Sequence, residues 1–197
     1  MRTPILIAAL CLCTRLAAAA DDPKTVVEQK YAAIQKIIAE DKTDEGVRTK
    51  VTAVLESFTD FDEFGRLTLK EDWPTLKDKQ RALFIEKFKK LVQRSYSRRF
   101  KANQPLKVDF DGAPRLVDDK ALVKTRVESG KTRAEVDYKL LTKAAAWKVY
   151  DIVIDDVSLV LSYRKQFTKI LKRDGFDKLI EKMTKKIESG QGELDEP

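Results

Sequence analysis

The sequence contains no histidine. That absence removes the Ser-His-Asp and Cys-His nucleophile systems and every metal site built on imidazole. Cysteine is nearly as scarce: Cys11 and Cys13 both fall within the first twenty residues, so a chain cut after them holds neither disulfide nor thiolate centre. The few glycines are isolated along the body of the chain, with Gly190 and Gly192 close together only in the tail, so no phosphate-cradling loop can be read. No apolar run approaches the eighteen residues that a membrane-crossing helix requires. The expectation is a protein without metal or cofactor.

The first twenty residues carry the parts of an export signal: Arg2, an apolar stretch from Ile5 to Leu12, and small residues at Ala17 to Ala20 ahead of Asp21-Asp22. Leu10 and Leu12 precede the two cysteines where a lipid-attachment signal wants a small residue, which favours simple cleavage near Ala20. Loss of Arg2 and Arg15 leaves 37 basic residues (39 less 2) against 32 acidic ones, a net +5. An exported chain without disulfides suits a bacterial periplasm, where a sufficient core holds it unaided. One domain is expected over 21–187, followed by an acidic, mobile tail over 188–197.

Apolar residues first recur at helical spacing: Val27, Tyr31, Ile34 and Ile38, then Val47, Val51, Val54, Leu55 and Phe58 after a break at Gly46. Thr59-Asp60 offers a cap for a short helix bearing Phe61, Phe64 and Leu67, and Trp73-Pro74 ends it. The longest helix opens at Thr75 or Asp78 and runs to about Phe100. After Pro105 the period changes to alternation in four runs: Leu106 to Phe110, Ala121 to Val127, Thr132 to Leu140 and Trp147 to Ile154. Ser129-Gly130-Lys131 joins two of them as a hairpin. Asp156 or Ser158 can then cap a helix to about Lys172, Gly175 breaks it, and Phe176 to Ile187 form a last short one. Helices, four antiparallel strands and helices again make an α+β fold, with the helices covering the sheet's apolar face and leaving room for an elongated cavity.

Three constellations could carry function. Between Leu76 and Lys107 eleven basic residues face two acids, a bias that suits an anionic membrane surface, an acidic partner or plain solvation; nucleic acid is not expected, since no binding motif accompanies it. Phe58, Phe61, Phe64, Phe84, Phe88, Tyr96, Phe100 and Phe110 supply rings for either a cavity wall or a filled core, which periodicity does not separate. Asp151 shares the strand phase of Trp147 and Val149, so its carboxylate could face inward beside Tyr138 as a general base on a small-molecule enzyme, or instead cap a turn, pair with an Arg or sit at a bulge that returns it to solvent.

Two stretches carry a family resemblance. Phe61-Asp62-Glu63-Phe64 is followed by Trp73, Gln80, Phe84, Phe88 and Tyr96; Trp147-Lys148-Val149-Tyr150-Asp151-Ile152 continues through Val157-Ser158-Leu159-Val160, Tyr163-Arg164 and Gln166-Phe167. Together they resemble the MlaC, or toluene-tolerance, family over roughly residues 24–187. The resemblance implies an NTF2-like sheet wrapped by helices. It also implies a periplasmic, non-enzymatic carrier that shuttles phospholipid between an inner-membrane ABC-type transporter and an outer-membrane lipoprotein complex. The sequence departs from the family pattern at Asp156, where glycine is usual, and at Leu69-Lys70, where Leu-Gly is common.

On this reading Phe84, Phe88, Leu91 and Val92 of the long helix, with the inward strand positions Val108, Phe110, Val123, Val127, Val136 and Tyr138, line a lipid cavity. Arg98, Arg99 and Lys101 stand at its mouth. The chain is expected to act as a monomer with transient contact to anionic membrane. The alternatives are an enzyme using Asp151 and a solid-core periplasmic adaptor that docks a partner through its basic face.

Overall fold

The structure, a computed structural model, describes residues 21–189. The expected export signal and residues 190–197 of the expected tail lie outside the described residues, and positions 188–189 belong to the last helix.

Helix α1 spans Pro23–Glu40, with Pro23 in its first turn and Asp22 as a cap that accepts from the Thr25 amide at 3.1 Å. Helix α2 spans Asp44–Phe58 and α3 spans Phe61–Leu69. Asp60 caps α3, accepting from the Glu63 amide at 3.1 Å, while Lys143 lies 2.7 Å from its other carboxylate oxygen. Helix α4 occupies Asp78–Ser97, ending three residues before the expected boundary. Helix α5 covers Leu159–Ser189 in two stretches that meet at Gly175, whose φ of 82° and ψ of 177° break the helical path as its position predicts.

Among the described residues six strands form the sheet, where four are expected from sequence: β1 Leu106–Phe110, β2 Arg115–Val117, β3 Lys120–Ser129, β4 Thr132–Lys143, β5 Ala146–Ile154 and β6 Val157–Ser158. The long strands run in the order β1-β3-β4-β5, all antiparallel, with β6 extending the β5 edge and β2 beside β3. The two additional strands have only three and two residues, too few to establish an alternating pattern. Gly130, at φ 59°, occupies the first position of the two-residue β3–β4 turn.

Both departures from the family pattern sit on left-handed backbone. Lys70 has φ 39° and Asp156 has φ 66°. Glycine occupies that region without the Cβ penalty, which is a physical reason for the glycines that the family resemblance leads one to expect there.

Two apolar cores result. One joins α3, α4 and α5 through contacting rings: Phe64–Phe88 at 5.1 Å, Phe84–Phe167 at 5.5 Å and Phe88–Tyr163 at 5.3 Å between centroids. The other sets α1 and α2 on the sheet's inner face, where Ala121, Val123, Leu140 and Val149 are buried. The outer face carries charges of opposite sign in register: Lys124 opposite Asp137, Arg126 opposite Glu135, and Arg133 opposite Glu128, with Lys107 and Asp109 alongside on β1.

Candidate functional site

Between the two cores lies a cavity of about 380 Å³, within the roughly 300–1,000 Å³ typical of small-molecule sites. Its sheet wall follows from the two-residue period: Thr132, Ala134, Val136 and Tyr138 share one face of β4, flanked by Val127 and Ser129 of β3 and by Ile152 and Ile154 of β5. Exposure falls along β4, from open at Thr132 to complete burial at Leu140, so the cavity opens at the β3–β4 hairpin end. From Thr132 to Tyr138 is six residues, or about 20 Å of extended chain. The facing wall is aromatic and aliphatic, with Tyr31 and Ile34 of α1, Phe58 of α2, Phe61 and Phe64 of α3, and Val92 and Tyr96 of α4.

The mouth is polar. Arg98, Arg99 and Lys101 follow the end of α4 and are exposed, with the Arg99 guanidinium 5.5 Å from the Tyr96 ring centre. Gln104 donates to the Ser129 hydroxyl at 3.0 Å, tying this segment to the hairpin. At the inner end the Tyr31 and Tyr138 hydroxyls lie 2.6 Å apart. Burial raises both phenols above their ordinary range, most strongly at Tyr138, and hydrogen bonding with Tyr138 and Thr125 partly offsets the rise at Tyr31. The pair is therefore neutral across the physiological range.

Of the residues expected at the cavity, the structure brings Val92, Val127, Val136, Tyr138, Arg98, Arg99 and Lys101 to its wall or mouth. Phe84, Phe88 and Leu91 instead fill the three-helix core, where their neighbours on α3 and α5 leave no open side. Val123 is buried under α1 and α2, and Val108 and Phe110 pack against the same core from β1. Tyr31, Ile34, Ile152 and Ile154 line the space without having been singled out. The signal for Tyr31 is a lone hydroxyl on the otherwise aliphatic face of α1, which requires a buried partner.

Asp151 does not face the cavity. A bulge in the β4–β5 pairing places Val149 opposite Leu140 but Asp151 opposite Lys139, so Tyr150 is the extra residue and the strand changes phase across it. The carboxylate, 3% exposed, accepts from Lys139 Nζ at 2.9 Å, Ser158 Oγ at 2.7 Å and the Val160 amide at 3.0 Å. It anchors the start of α5 to the sheet. Ser158 adds the cap expected of it, accepting from the Leu161 amide at 3.2 Å. Among the described residues no cluster of carboxylates could hold a metal ion.

The cavity gains its meaning from related chains. The sequence pattern of the MlaC protein family matches residues 24–185. The chain belongs to the MlaC family. A relative in Haemophilus influenzae, the intermembrane phospholipid transport system binding protein MlaC, is 25% identical over 182 residues, covering 87% of this chain and 85% of its own. The fold recurs in a phospholipid-binding protein from Ralstonia solanacearum, solved in complex with a phospholipid, at a TM-score of 0.75 and 22% identity, covering 86% of this chain and 98% of that one. The MlaC family pattern thus spans every element that walls the cavity, from α1 through the first stretch of α5.

Proposed function

We propose that this MlaC-family chain is a lipid carrier that holds phospholipid acyl chains in the cavity between sheet and helices, with the headgroup at the basic mouth. The observation that carries this reading is an apolar wall about 20 Å deep that opens at one polar end. The hydrocarbon core of a bilayer is about 30 Å thick, so one leaflet offers a chain about 15 Å, and the wall is deep enough to hold a chain of that length. A sixteen-carbon chain moved into water costs about 13 kcal/mol at about 0.8 kcal/mol per methylene, which makes unaided crossing of an aqueous compartment negligible. A dry cavity removes that cost. Because membrane and cavity both bury the chain, exchange between them is close to neutral, and direction comes from an energy source or a downhill sink elsewhere.

The names of the Haemophilus and Ralstonia proteins support this reading. With it go the finer expectations: an NTF2-like arrangement, export by residues 1–20 into the periplasm, a monomeric carrier over 21–187, and exchange with an inner-membrane ABC-type transporter and an outer-membrane lipoprotein complex. Arg98, Arg99 and Lys101 would meet phosphate at the mouth or at an anionic membrane. The test is to export the full chain in a Gram-negative host, purify it without detergent, and combine native mass spectrometry with lipid extraction. One diacyl lipid per chain is expected. A lipid-free mass with no uptake from liposomes overturns the reading in favour of the solid-core adaptor or the enzyme.

A further inference from the structure

On β4 and β5 the sheet wall of the cavity stops at the paired residues Tyr138 and Ile152, and on β3 it stops sooner, at Val127 opposite Ala134. Beyond them Leu140 on β4, Val149 on β5, and Thr125 and Val123 on β3, the last directly opposite Tyr138, are buried and do not reach the cavity. At that level three rings from three elements meet: Tyr138 lies 6.1 Å from Tyr31 and 6.2 Å from Phe58 between centroids. Phe110 stands edge-on behind Tyr31 at 6.2 Å.

We propose that Tyr31, Phe58 and Tyr138 form the closed inner end of the cavity and set the longest acyl chain the protein holds. This deepens the carrier reading and rests on it. The hydroxyls give the stop its firmness. A floor of phenylalanines would yield by rotation, whereas the 2.6 Å bond between the two hydroxyls pins the α1 ring to the β4 ring. Tyr31 is held further through Thr125, whose Oγ1 donates to the Val136 carbonyl at 2.7 Å, so the chain of hydroxyls ends on sheet backbone. A lipid tail offers no group that could replace these bonds. Tails short enough to end at the rings are wholly buried; each methylene beyond them must stay outside the mouth, losing about fourfold in occupancy, or about fifteenfold for two.

The test uses the full-length exported protein, incubated with vesicles of equal parts dilauroyl, dimyristoyl, dipalmitoyl and distearoyl phosphatidylglycerol. Bound lipid is re-isolated and its chain lengths are compared with those offered. Wild type is expected to show a step-down at one chain length, about fifteenfold for the two methylenes added to each chain that reaches the floor. Tyr138→Leu should move that step to longer chains, Tyr31→Phe should blunt it without moving it, and Val136→Trp, higher on the wall, should move it to shorter ones. Circular dichroism checks that each variant is folded, and Tyr31→Phe, which keeps the ring, serves if Tyr138→Leu fails to fold. A wild type that binds no lipid defeats the carrier reading itself. A wild type that binds lipid with the same chain-length profile as folded Tyr31→Phe and Val136→Trp overturns the floor alone.

Discussion

Replacing Asp151 by alanine separates a structural anchor from a catalytic base. Its carboxylate accepts from the Val160 amide, the Ser158 hydroxyl and the Lys139 ammonium. Alanine leaves the amide and the hydroxyl buried without that acceptor, each costing about 1–3 kcal/mol. Lys139, with its side chain 37% exposed, turns to water, so its share is small. The sum is about 3–4 kcal/mol, and at about 2–4 °C per kcal/mol for a chain of this size the melting temperature should fall by about 10 °C. Asp151→Asn keeps an oxygen for the amide and should lose about half as much. Thermal unfolding by circular dichroism, with bound lipid measured on the folded protein at low temperature, reads both effects. Lipid occupancy should be retained in each variant wherever it is folded. A melting temperature within a degree or two of wild type for Asp151→Ala would refute the anchoring argument, and a folded variant that had lost turnover of a hydrophobic substrate would restore Asp151 as a base.

Further outcomes follow from the same geometry. Val136→Trp should shorten the cavity and cut bound long-chain lipid in a folded protein, whereas Val123→Trp, in the packed second core, should cost about 1–3 kcal/mol or more by overpacking; native mass spectrometry and melting curves distinguish them, and equal stability would contradict the placement. Lys70→Gly and Asp156→Gly relieve left-handed backbone at φ 39° and 66° and should each gain up to about 1 kcal/mol, seen as melting temperatures raised by a few degrees. Asp41 is held down to about 2 by hydrogen bonding to Lys50, Asp174 to about 2 by Arg173, and Glu181 to about 2 by Lys178 and Lys185. Their folded values lie below the unfolded range near 4, so their contribution is complete above about pH 4.5 and lost as pH falls towards 2. Because these ion pairs lie at the surface, molar salt should flatten that part of the stability profile, and an acid limb insensitive to salt would argue against it.

The helices and the four longer strands were legible because their inward residues keep one period over several turns or alternations, as Val27, Tyr31, Ile34 and Ile38 do on α1 and Ala121, Val123, Thr125 and Val127 do on β3. The strand β5 was not fully legible. Trp147 and Val149 point inward, and after the bulge so do Ile152 and Ile154. In sequence this reads as a continuous apolar run in which Asp151 keeps the inward phase, and only pairing with β4 reveals the switch. Phe84 and Phe88 have the spacing of a lining face, yet α5, seventy residues further on, closes over them; one helix's pattern tells which face is buried but not by what. Tyr31 and Tyr138 are separated by 107 positions, and nothing short of the folded register brings their hydroxyls together.

The matched charges on the outer face of the sheet bear on how the molecule turns in an electric field. Four basic residues there, Lys107, Lys124, Arg126 and Arg133, stand against four acidic ones, Asp109, Glu128, Glu135 and Asp137, and the sum is zero. Helix α4, by contrast, carries six bases and two acids, and α5 carries nine and four, for +4 and +5. The protein is thus electrically lopsided, silent on its sheet side and positive on its helical side. Within a Debye length of an anionic surface it experiences a torque that brings the helices round first, so its encounters are oriented before any contact is made, and ordinary salt sets the range over which that steering acts.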